Sequence, residues 1–271
     1  MTGEEIVDRS PGEAAPVALV AAYDGRGFAG WQVQPDRPTV QGTIEAALDR
    51  VHGVPAGTVR IVGAGRTDAG VHALGQVASY LPPTPRSPEV LRAALAGLLP
   101  ETVRVLAVRE MPAGFHACRS ATGKVYRYRV VNRELALPFE APFAWHVRAP
   151  LDLAAMRAAA AHLVGRHDFA AFQTSGSPTE TTVRTLRRLE VRERPGGIVE
   201  IEAEGDGFLY RMVRNLVGLL VEVGLGRRSP GEAARVLATR DRAAAGRTAP
   251  ARGLCLVRVL YPPGLDPVVR G

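Results

Sequence analysis

The order of its strand and helix patterns is the feature that most limits how this chain can fold. Through the first half, strand-like alternation and helix-like apolar spacing follow one another as β-α-β-β-α-β, and the second half repeats that order approximately. This order predicts an α+β fold of two similarly built α/β halves, residues 16–112 and 113–271, with mixed, largely antiparallel sheets. We expect the two halves to meet at a central cleft.

The first predicted half has clear helix start signals. Thr39 is placed as the N-cap of one amphipathic helix, and Ser87 precedes Pro88 at the start of a second. Phe28 and Trp31 follow the first strand, either as an apolar plug under a turn or as interaction residues. The predicted strands cover 17–23, 59–62, 76–80 and 103–109.

The second predicted half contains a hairpin and a strongly apolar helix. Asp152 is placed as the cap of a helix through Val164, and Ser229-Pro230 begins a later one. The hairpin turns at Pro195-Gly196-Gly197, and apolar residues fill most positions of a helix over 210–223. The predicted strands cover 125–132, 145–148, 182–193, 198–204 and 254–260.

The charge of the chain favours a polyanionic partner. Its 271 residues carry a formal net charge of +7, and 46% of them are hydrophobic, as in soluble globular proteins. Residues 1–15 sum to −3 and are predicted to form a disordered acidic tail, so the remaining chain carries +10. Such an excess favours RNA or DNA. All but one of the 34 basic residues are arginines, and the exception is Lys124. A composition rich in alanine, arginine and glycine is typical of a GC-rich genome, and arginines also make forked contacts with phosphate.

Several classes of protein are disfavoured by what the sequence lacks. Its two cysteines and six histidines show no spacing typical of a zinc site, so no metal is expected. No apolar stretch reaches the roughly 18 residues of a membrane span, and the N-terminus lacks the basic and apolar regions of a signal peptide. We therefore expect a cytoplasmic protein without membrane association, and no motif indicates a cofactor.

The glycine-rich stretch 63–73, Gly-Ala-Gly-Arg-Thr-Asp-Ala-Gly-Val-His-Ala, concentrates the groups suited to chemistry. Glycine adopts positive φ and lets a ligand or a second backbone approach closely. A turn of this kind between two strands would therefore present Arg66 and Asp68 at a sheet edge. Short motifs often occur in proteins that lack the corresponding function, and a tight turn with a surface ion pair is the simpler interpretation.

The strongly apolar helix of the second half carries charged residues that need partners. Arg211, Arg214 and Asn215 share one of its faces. A buried arginine requires a carboxylate, because burying an unpaired charge is costly. Glu222 on the same helix would make the arginines structural, whereas Asp68 from across the cleft would make them part of a site.

One strand of the second half alternates aromatic and cationic residues. Tyr126 and Tyr128 fall on one face, and Arg127 and Arg129 fall on the other. A half-buried strand with a solvated arginine face explains this pattern, and in a basic chain a tyrosine that stacks on a nucleic-acid base explains it as well. His116, just before this strand, is by itself typical of a turn or core residue.

These motifs, in this order, resemble the tRNA pseudouridine synthase A (TruA) family over nearly the whole chain, from Val17 to Tyr261. The segment 65–72, Gly-Arg-Thr-Asp-Ala-Gly-Val-His, is highly specific in this setting. The other matching motifs are Tyr23-Asp24-Gly25 with Phe28, Gly30-Trp31-Gln32, Phe115-His116-Ala117, Tyr126-Arg127-Tyr128, Asp168-Phe169, Val183-Arg184-Thr185-Leu186, the segment 207–215 and Gly253-Leu254.

The resemblance implies a pseudouridine synthase fold and a role for each matched residue. Asp68 would be the essential catalytic aspartate, Arg214 its partner, and Tyr126 the ring that contacts and stacks on the target uracil. Arg66 would hold the RNA or the surroundings of the extruded base. The family isomerises uridines at tRNA positions 38, 39 and 40 in the anticodon arm, uses no cofactor and forms homodimers. The matched motifs add further candidate RNA-binding residues: Thr67, His72 and His116.

Two places depart from the family pattern. Family members commonly have an arginine and an aromatic residue where this chain has Cys118 and Arg119, and an aromatic residue where it has Cys255. The first departure would alter an RNA contact, and the second is interpreted as a packing change.

The implied reaction leaves three roles open to the carboxylate. Breaking the N1–C1′ bond and joining C5 to C1′ needs no redox change, and Asp68 could add to uracil C6, capture C1′ or remove the C2′ proton. Three rival functions also stay open. These are a synthase of the same fold with another RNA target, a catalytically silent tRNA-binding or RNA-chaperone protein, and an aspartate-dependent hydrolase.

Overall fold

The computed structural model describes residues 15–176 and 179–268, and the expected order of elements is present within them. The predicted acidic tail lies outside the described residues except for residue 15. The helices are Val40–His52 (α1), Pro88–Leu98 (α2), Leu153–Ala161 (α3), Met212–Gly224 (α4) and Glu232–Thr239 (α5). The strands are Val17–Tyr23 (β1), Val62–Gly63 (β2), His72–Tyr80 (β3), Val103–Glu110 (β4), Gly123–Val131 (β5), Trp145–His146 (β6), Gly165–Asp168 (β7), Val183–Arg194 (β8), Ile198–Gly205 (β9) and Leu254–Leu260 (β10).

All ten strands of the described residues lie in one sheet, ordered β4-β1-β3-β10-β5-β9-β8-β7, with β2 paired to β3 and β6 to β5. Neighbours are antiparallel except for the parallel pairs β3–β10 and β5–β6. The predicted α+β class with mixed, largely antiparallel pairing is confirmed. The division that we propose near residue 112 falls between β4 and β5, so the pairs Cys255–His72 and Leu256–Ala73 join the two proposed halves into one sheet.

Local sequence signals place most elements correctly. Thr39, Ser87 and Asp152 each accept a hydrogen bond from a backbone N–H in the first turn of α1, α2 and α3. The β8–β9 hairpin turns through Gly196 and Gly197, both at positive φ. α3 ends before its predicted end at 164, and β3 begins four residues before its predicted start. Among the described helices, none is long and apolar enough to cross a membrane.

The predicted strand 59–62 is largely absent, because side chains replace its partner strand. The N–H of Val59 donates to Asp49 Oδ1 at 2.7 Å, and the N–H of Ile61 donates to Glu45 Oε1 at 3.0 Å. Only the last residue of the predicted stretch pairs within the sheet. Buried carboxylates on α1 thus accept hydrogen bonds from backbone N–H groups that the apolar–polar alternation of the sequence would assign to a sheet.

Trp31 lies beneath the glycine-rich loop as part of the core. It is only 1% exposed, and a Cβ added at Gly63 would stand 2.5 Å from its indole Nε1. Phe28 is partly buried and packs against the same core. Of the two interpretations of these aromatics, the apolar plug is the one observed.

The alternating strand β5 presents one aromatic and one charged face, as predicted. Arg127 donates to Glu202 at 3.2 Å and Arg129 to Glu200 at 3.0 Å, across to β9. The Tyr128 hydroxyl donates to a backbone carbonyl, that of Pro250, at 2.8 Å. These three side chains already form hydrogen bonds within the fold. Of the four alternating residues, Tyr126 is therefore the candidate for contact with a ligand.

Candidate active site

The glycine-rich loop between β2 and β3 is braced from several sides. The N–H of Trp31 donates to the carbonyl of Thr67 at 3.0 Å, and the Thr67 hydroxyl lies 2.8 Å from that of Tyr23 on β1. Gln76, fully buried on β3, donates from Nε2 to the carbonyl of Gly65 at 2.7 Å. The backbone that leads into Asp68 is therefore fixed before any substrate arrives.

Gly30 allows this loop to pack closely, and an alanine there should displace it. Its φ is +104°, and a Cβ would lie 2.7 Å from the Thr67 carbonyl oxygen and 3.2 Å from the Ala69 nitrogen. We expect Gly30→Ala to lower the free energy of unfolding by about 1–3 kcal/mol in urea denaturation, because the residue is strained and the neighbouring backbone must shift.

Gly27 provides the matched control for that measurement. It lies in the same connection, and a Cβ there would have no atom within 4 Å. Gly27→Ala should change the free energy of unfolding by less than about 0.5 kcal/mol. Equal effects of the two substitutions would contradict a bracing role for Gly30.

Asp68, in the loop between β2 and β3, pairs directly with Arg214 on α4. Arg214 Nη1 donates to Asp68 Oδ2 at 2.6 Å, and Arg214 Nε donates to the carbonyl of Ala249 at 2.8 Å. The two side chains are 18% and 13% exposed, so the pair is partly screened from water while the carboxylate stays reachable. Glu222, the other candidate partner, instead pairs with Arg228 at 2.6 Å. The geometry therefore selects Asp68 rather than Glu222 as the partner of Arg214.

Only one oxygen of the Asp68 carboxylate is occupied. Arg214 and the more distant Arg211, at 3.9 Å, both approach Oδ2. Within the described part of the chain, no hydrogen bond reaches Oδ1. The carboxylate is thus oriented through one oxygen and leaves the other available to a ligand.

Tyr126 lies near this carboxylate in the centre of β5. Its ring is buried and meets Phe208 edge-on, with centroids 5.1 Å apart. Burial raises the pKa of the Tyr126 phenol well above its usual range, and the neighbouring Tyr23 and Asp68 raise it further. No described residue hydrogen-bonds its hydroxyl. The phenol therefore stays neutral and offers a ligand a flat ring and a hydrogen bond rather than a base.

Arg66 and Thr67 flank the carboxylate in different environments. The Arg66 side chain is exposed, and none of the described residues pairs with it. Thr67 is buried, and its hydroxyl is already engaged with Tyr23. Arg66 is therefore free for an outside partner, whereas the observed contact of Thr67 is structural. RNA contacts by either residue stay predictions.

The two candidate histidines contact groups other than the carboxylate. His72 Nδ1 accepts from the N–H of Gly25 at 3.2 Å, and its ring lies 5.0 Å from that of Phe143. Burial lowers the pKa of His72, an effect that Asp24 partly offsets. His116 Nδ1 accepts two backbone N–H groups of its own loop, each at 3.2 Å. RNA binding by these histidines stays a prediction.

Two further cations lie near the loop: Lys124, whose position the sequence did not indicate, and Arg211, which the sequence placed on the apolar helix. Lys124 lies against the loop, since a Cβ at Gly65 would stand 2.8 Å from its Cε, and burial lowers the pKa of its ammonium. Its being the sole lysine was the one available signal. Arg211 precedes α4 instead of lying within it, because the helix begins two residues later than predicted.

Two other residues singled out in the sequence have structural contacts. Asn215 is fully buried and donates to the carbonyl of Phe172 at 2.7 Å, so it fixes a neighbouring turn. Burial raises the pKa of the Cys255 thiol to about 11, which agrees with a packing role on β10. Within the described residues, no group of three or more His, Cys, Asp and Glu side chains could hold a metal ion.

Comparison with protein families identifies the family of this chain. The chain belongs to the tRNA pseudouridine synthase family, whose model matches residues 19–119 and 159–262. Asp68 lies in the first matched range and Arg214 in the second, with Tyr126 between the two ranges. The family suggested by the sequence motifs is thereby confirmed.

Individual relatives are similar over nearly their whole length. A tRNA pseudouridine synthase A from Myxococcus xanthus is 46% identical over 252 residues, which cover 92% of this chain and 94% of the relative. A protein of the same name from Brevibacillus brevis is 47% identical over 242 residues, with 89% and 98% covered. A third, from Syntrophotalea carbinolica, is 45% identical over 91% of this chain and 96% of its own.

Proposed function

We propose that this protein isomerises uridine to pseudouridine at positions 38, 39 and 40 of the tRNA anticodon stem-loop. Membership of the family makes it a tRNA pseudouridine synthase and hence an isomerase. The positions and the roles of individual residues are the proposal. The observation that carries it is the 2.6 Å contact of Arg214 with Asp68 beside the buried Tyr126.

Asp68 is the proposed catalytic residue. In the reaction the N1–C1′ bond breaks, the base turns and C5 bonds to C1′, while C5 loses a proton and N1 gains one. An addition to C6, a capture of C1′ and a removal of the C2′ proton all need an ionised carboxylate with a free oxygen. Arg214 holds the carboxylate through Oδ2, and Oδ1 stays available.

Tyr126 is proposed to receive the target uracil. The base must leave its stack to reach Asp68, which costs a few kcal/mol, and stacking on an aromatic ring returns about 1–3 kcal/mol of this. The edge-on contact with Phe208 fixes the plane of the ring. Phosphate contacts from Arg66 and other exposed arginines would set the register without reading bases, as three adjacent targets require.

Modification of defined transcripts tests the proposed positions. Unmodified tRNAs that carry uridine at position 38, 39, 40 or elsewhere in the anticodon arm would be incubated with the protein, and pseudouridine would be mapped chemically and by mass spectrometry. We expect product at those three positions and at no others. Product only at other sites would favour the rival synthase, and tRNA binding without product would favour the silent binding protein.

Tyr126→Phe should retain binding and lose part of the rate. The ring and its stacking remain, and only one hydrogen bond to the substrate disappears, typically worth about 0.5–1.5 kcal/mol. We therefore expect a single-turnover rate about 3- to 10-fold lower, with an unchanged dissociation constant for tRNA. A rate loss above about 10³-fold would contradict a role limited to one hydrogen bond.

We also propose that the protein acts as a cytoplasmic homodimer. Leu135, Leu137 and Phe139 are exposed close together in sequence, with Phe139 90% accessible. A cluster of exposed apolar residues is typical of an association surface. Light scattering should give twice the chain mass, and Phe139→Ser should shift the protein towards the monomer. A wild-type protein that is monomeric at micromolar concentration would contradict this part of the proposal.

A further inference from the structure

Arg211 lies beside Asp68 without being bonded to it. Its Nε is 3.9 Å from Asp68 Oδ2, beyond hydrogen-bonding distance, whereas Arg214 already donates to that oxygen at 2.6 Å. The Nε atom is buried and has no hydrogen-bond partner among the described residues. Since the side chain as a whole is 37% exposed, its accessible area belongs to its other atoms.

The backbone holds Arg211 in this place at a conformational cost. Its φ of +59° and ψ of 11° lie in the left-handed region, which residues other than glycine rarely occupy. The conformation is fixed on both sides, because the carbonyl of Arg211 accepts from the N–H of Asn215 and the carbonyl of Tyr210 accepts from the N–H of Thr174. The guanidinium carbon stands 4.9 Å from the Tyr210 ring centroid. The fold therefore aims a particular guanidinium at the carboxylate.

Positive charge exceeds negative charge at this place. Arg242, whose pKa is lowered by burial and by the charge of Arg211, donates only to neutral oxygens, including Asn215 Oδ1 at 2.9 Å and Thr248 Oγ1 at 2.6 Å. In the described part of the chain, Asp68 is the one carboxylate paired with any of the three guanidiniums of residues 211, 214 and 242. The three guanidiniums thus face one carboxylate, and the described residues supply no second anion to balance them.

We infer that Arg211 binds a phosphate of the RNA backbone next to the target nucleotide, an inference that rests on the proposed function. A nucleotide turned out of its helix brings its flanking phosphates towards the site that receives its base. The planar guanidinium suits phosphate, with two parallel N–H donors and a fixed positive charge. A neutral partner such as a uracil carbonyl would leave the excess charge unbalanced.

Neutral phosphate analogues test this contact directly. Anticodon stem-loop RNAs would carry a methylphosphonate at the linkage 5′ or 3′ to the target uridine, and their dissociation constants would be measured by fluorescence anisotropy. For the wild type, one of the two replacements should weaken binding about tenfold, the usual loss for a charge-assisted hydrogen bond. Arg211→Gly should bind the unmodified RNA about tenfold more weakly and lose less than about twofold further on the analogue, because the contact is already absent.

The choice of variant separates binding from folding. Glycine adopts the left-handed conformation without strain, so the thermal midpoint of Arg211→Gly should equal or exceed that of the wild type. Arg211→Lys keeps the charge without the fork and should fall between the two in affinity. The inference would be overturned if the affinity losses caused by the methylphosphonate and by Arg211→Gly multiplied fully when combined. It would also be overturned if Arg211→Gly bound the RNA with wild-type affinity.

The outcome is distinguishable from a failure of the proposed function. Pseudouridine formation on unmodified tRNA transcripts with uridine at position 38, 39 or 40 would be followed in parallel with wild-type protein. Absence of product there would contradict the proposed function itself. If product forms but the two losses of RNA affinity multiply fully, the proposed function stands and only the role of Arg211 is contradicted.

Discussion

Asp68→Asn is expected to lower the rate of pseudouridine formation by about 10³-fold or more, while the fold and tRNA binding persist. Asparagine has nearly the same shape, and its carbonyl oxygen can still accept from Arg214 Nη1, now 2.6 Å from Oδ2. It lacks the charge and basicity on which each proposed role of the carboxylate depends, and such groups typically contribute 10²- to 10⁴-fold or more. Single-turnover assays on a tRNA transcript give the rate, and anisotropy gives the affinity.

Removal of this charge should also leave tRNA affinity equal to or tighter than that of the wild type. Arg211 and Arg214 would then face the polyanion without their carboxylate, and phosphate would meet a more positive site. A large loss of rate without a loss of affinity would separate catalysis from binding. An Asp68→Asn protein that retains more than a tenth of the wild-type rate would contradict the assignment of the carboxylate.

Asp266→Asn provides a matched control. Asp266 Oδ2 accepts from Arg258 at 2.5 Å, and its side chain is 25% exposed, close to the 18% of Asp68. The same substitution therefore removes a similar ion pair at a position with no proposed role. Its rate should stay within about twofold of the wild type, since substitutions away from special features have small effects.

Local physics made much of the fold predictable. The caps at Thr39, Ser87 and Asp152 and the paired glycines of the β8–β9 hairpin act within a few residues, so the sequence signals them directly. Alternation along β5 correctly separated its tyrosines from its arginines. Motif order then identified the family, and with it the candidate roles of Asp68, Tyr126 and Arg214.

The remaining features depend on contacts between distant parts of the chain. Asp68 and Arg214 are separated by 146 positions in the sequence. The choice between Asp68 and Glu222 as the partner of Arg214 therefore depends on how distant segments pair, as in the parallel pairing of β3 with β10. The loss of strand 59–62 depends on carboxylates that α1 happens to present. No sequence pattern indicates the left-handed backbone of Arg211, because the residue is not a glycine and its neighbours have the apolar pattern of a helix.

Arg214→Lys is expected to lower the rate of pseudouridine formation by about 10²-fold. The guanidinium of Arg214 donates at once to Asp68 Oδ2, at 2.6 Å, and to the carbonyl of Ala249, at 2.8 Å. A lysine ammonium is a single point and cannot span both acceptors in that geometry. The carboxylate keeps a positive neighbour and loses its fixed position, and a displacement of about 1 Å in a catalytic group commonly costs about 10²-fold in rate. Single-turnover rates at saturating enzyme measure the effect apart from binding.

Arg228→Lys separates this positional effect from general damage to the fold. Arg228 makes the same kind of bridge, from Nε to Glu222 Oε2 at 2.6 Å and from Nη1 to the carbonyl of Ala244 at 2.7 Å. Both substitutions should therefore lower the free energy of unfolding by similar amounts, about 1–2 kcal/mol. Arg228→Lys should nevertheless keep its rate within about twofold of the wild type. Equal rate losses in the two variants would mean that the loss follows stability and that Arg214 has no special part in orienting Asp68.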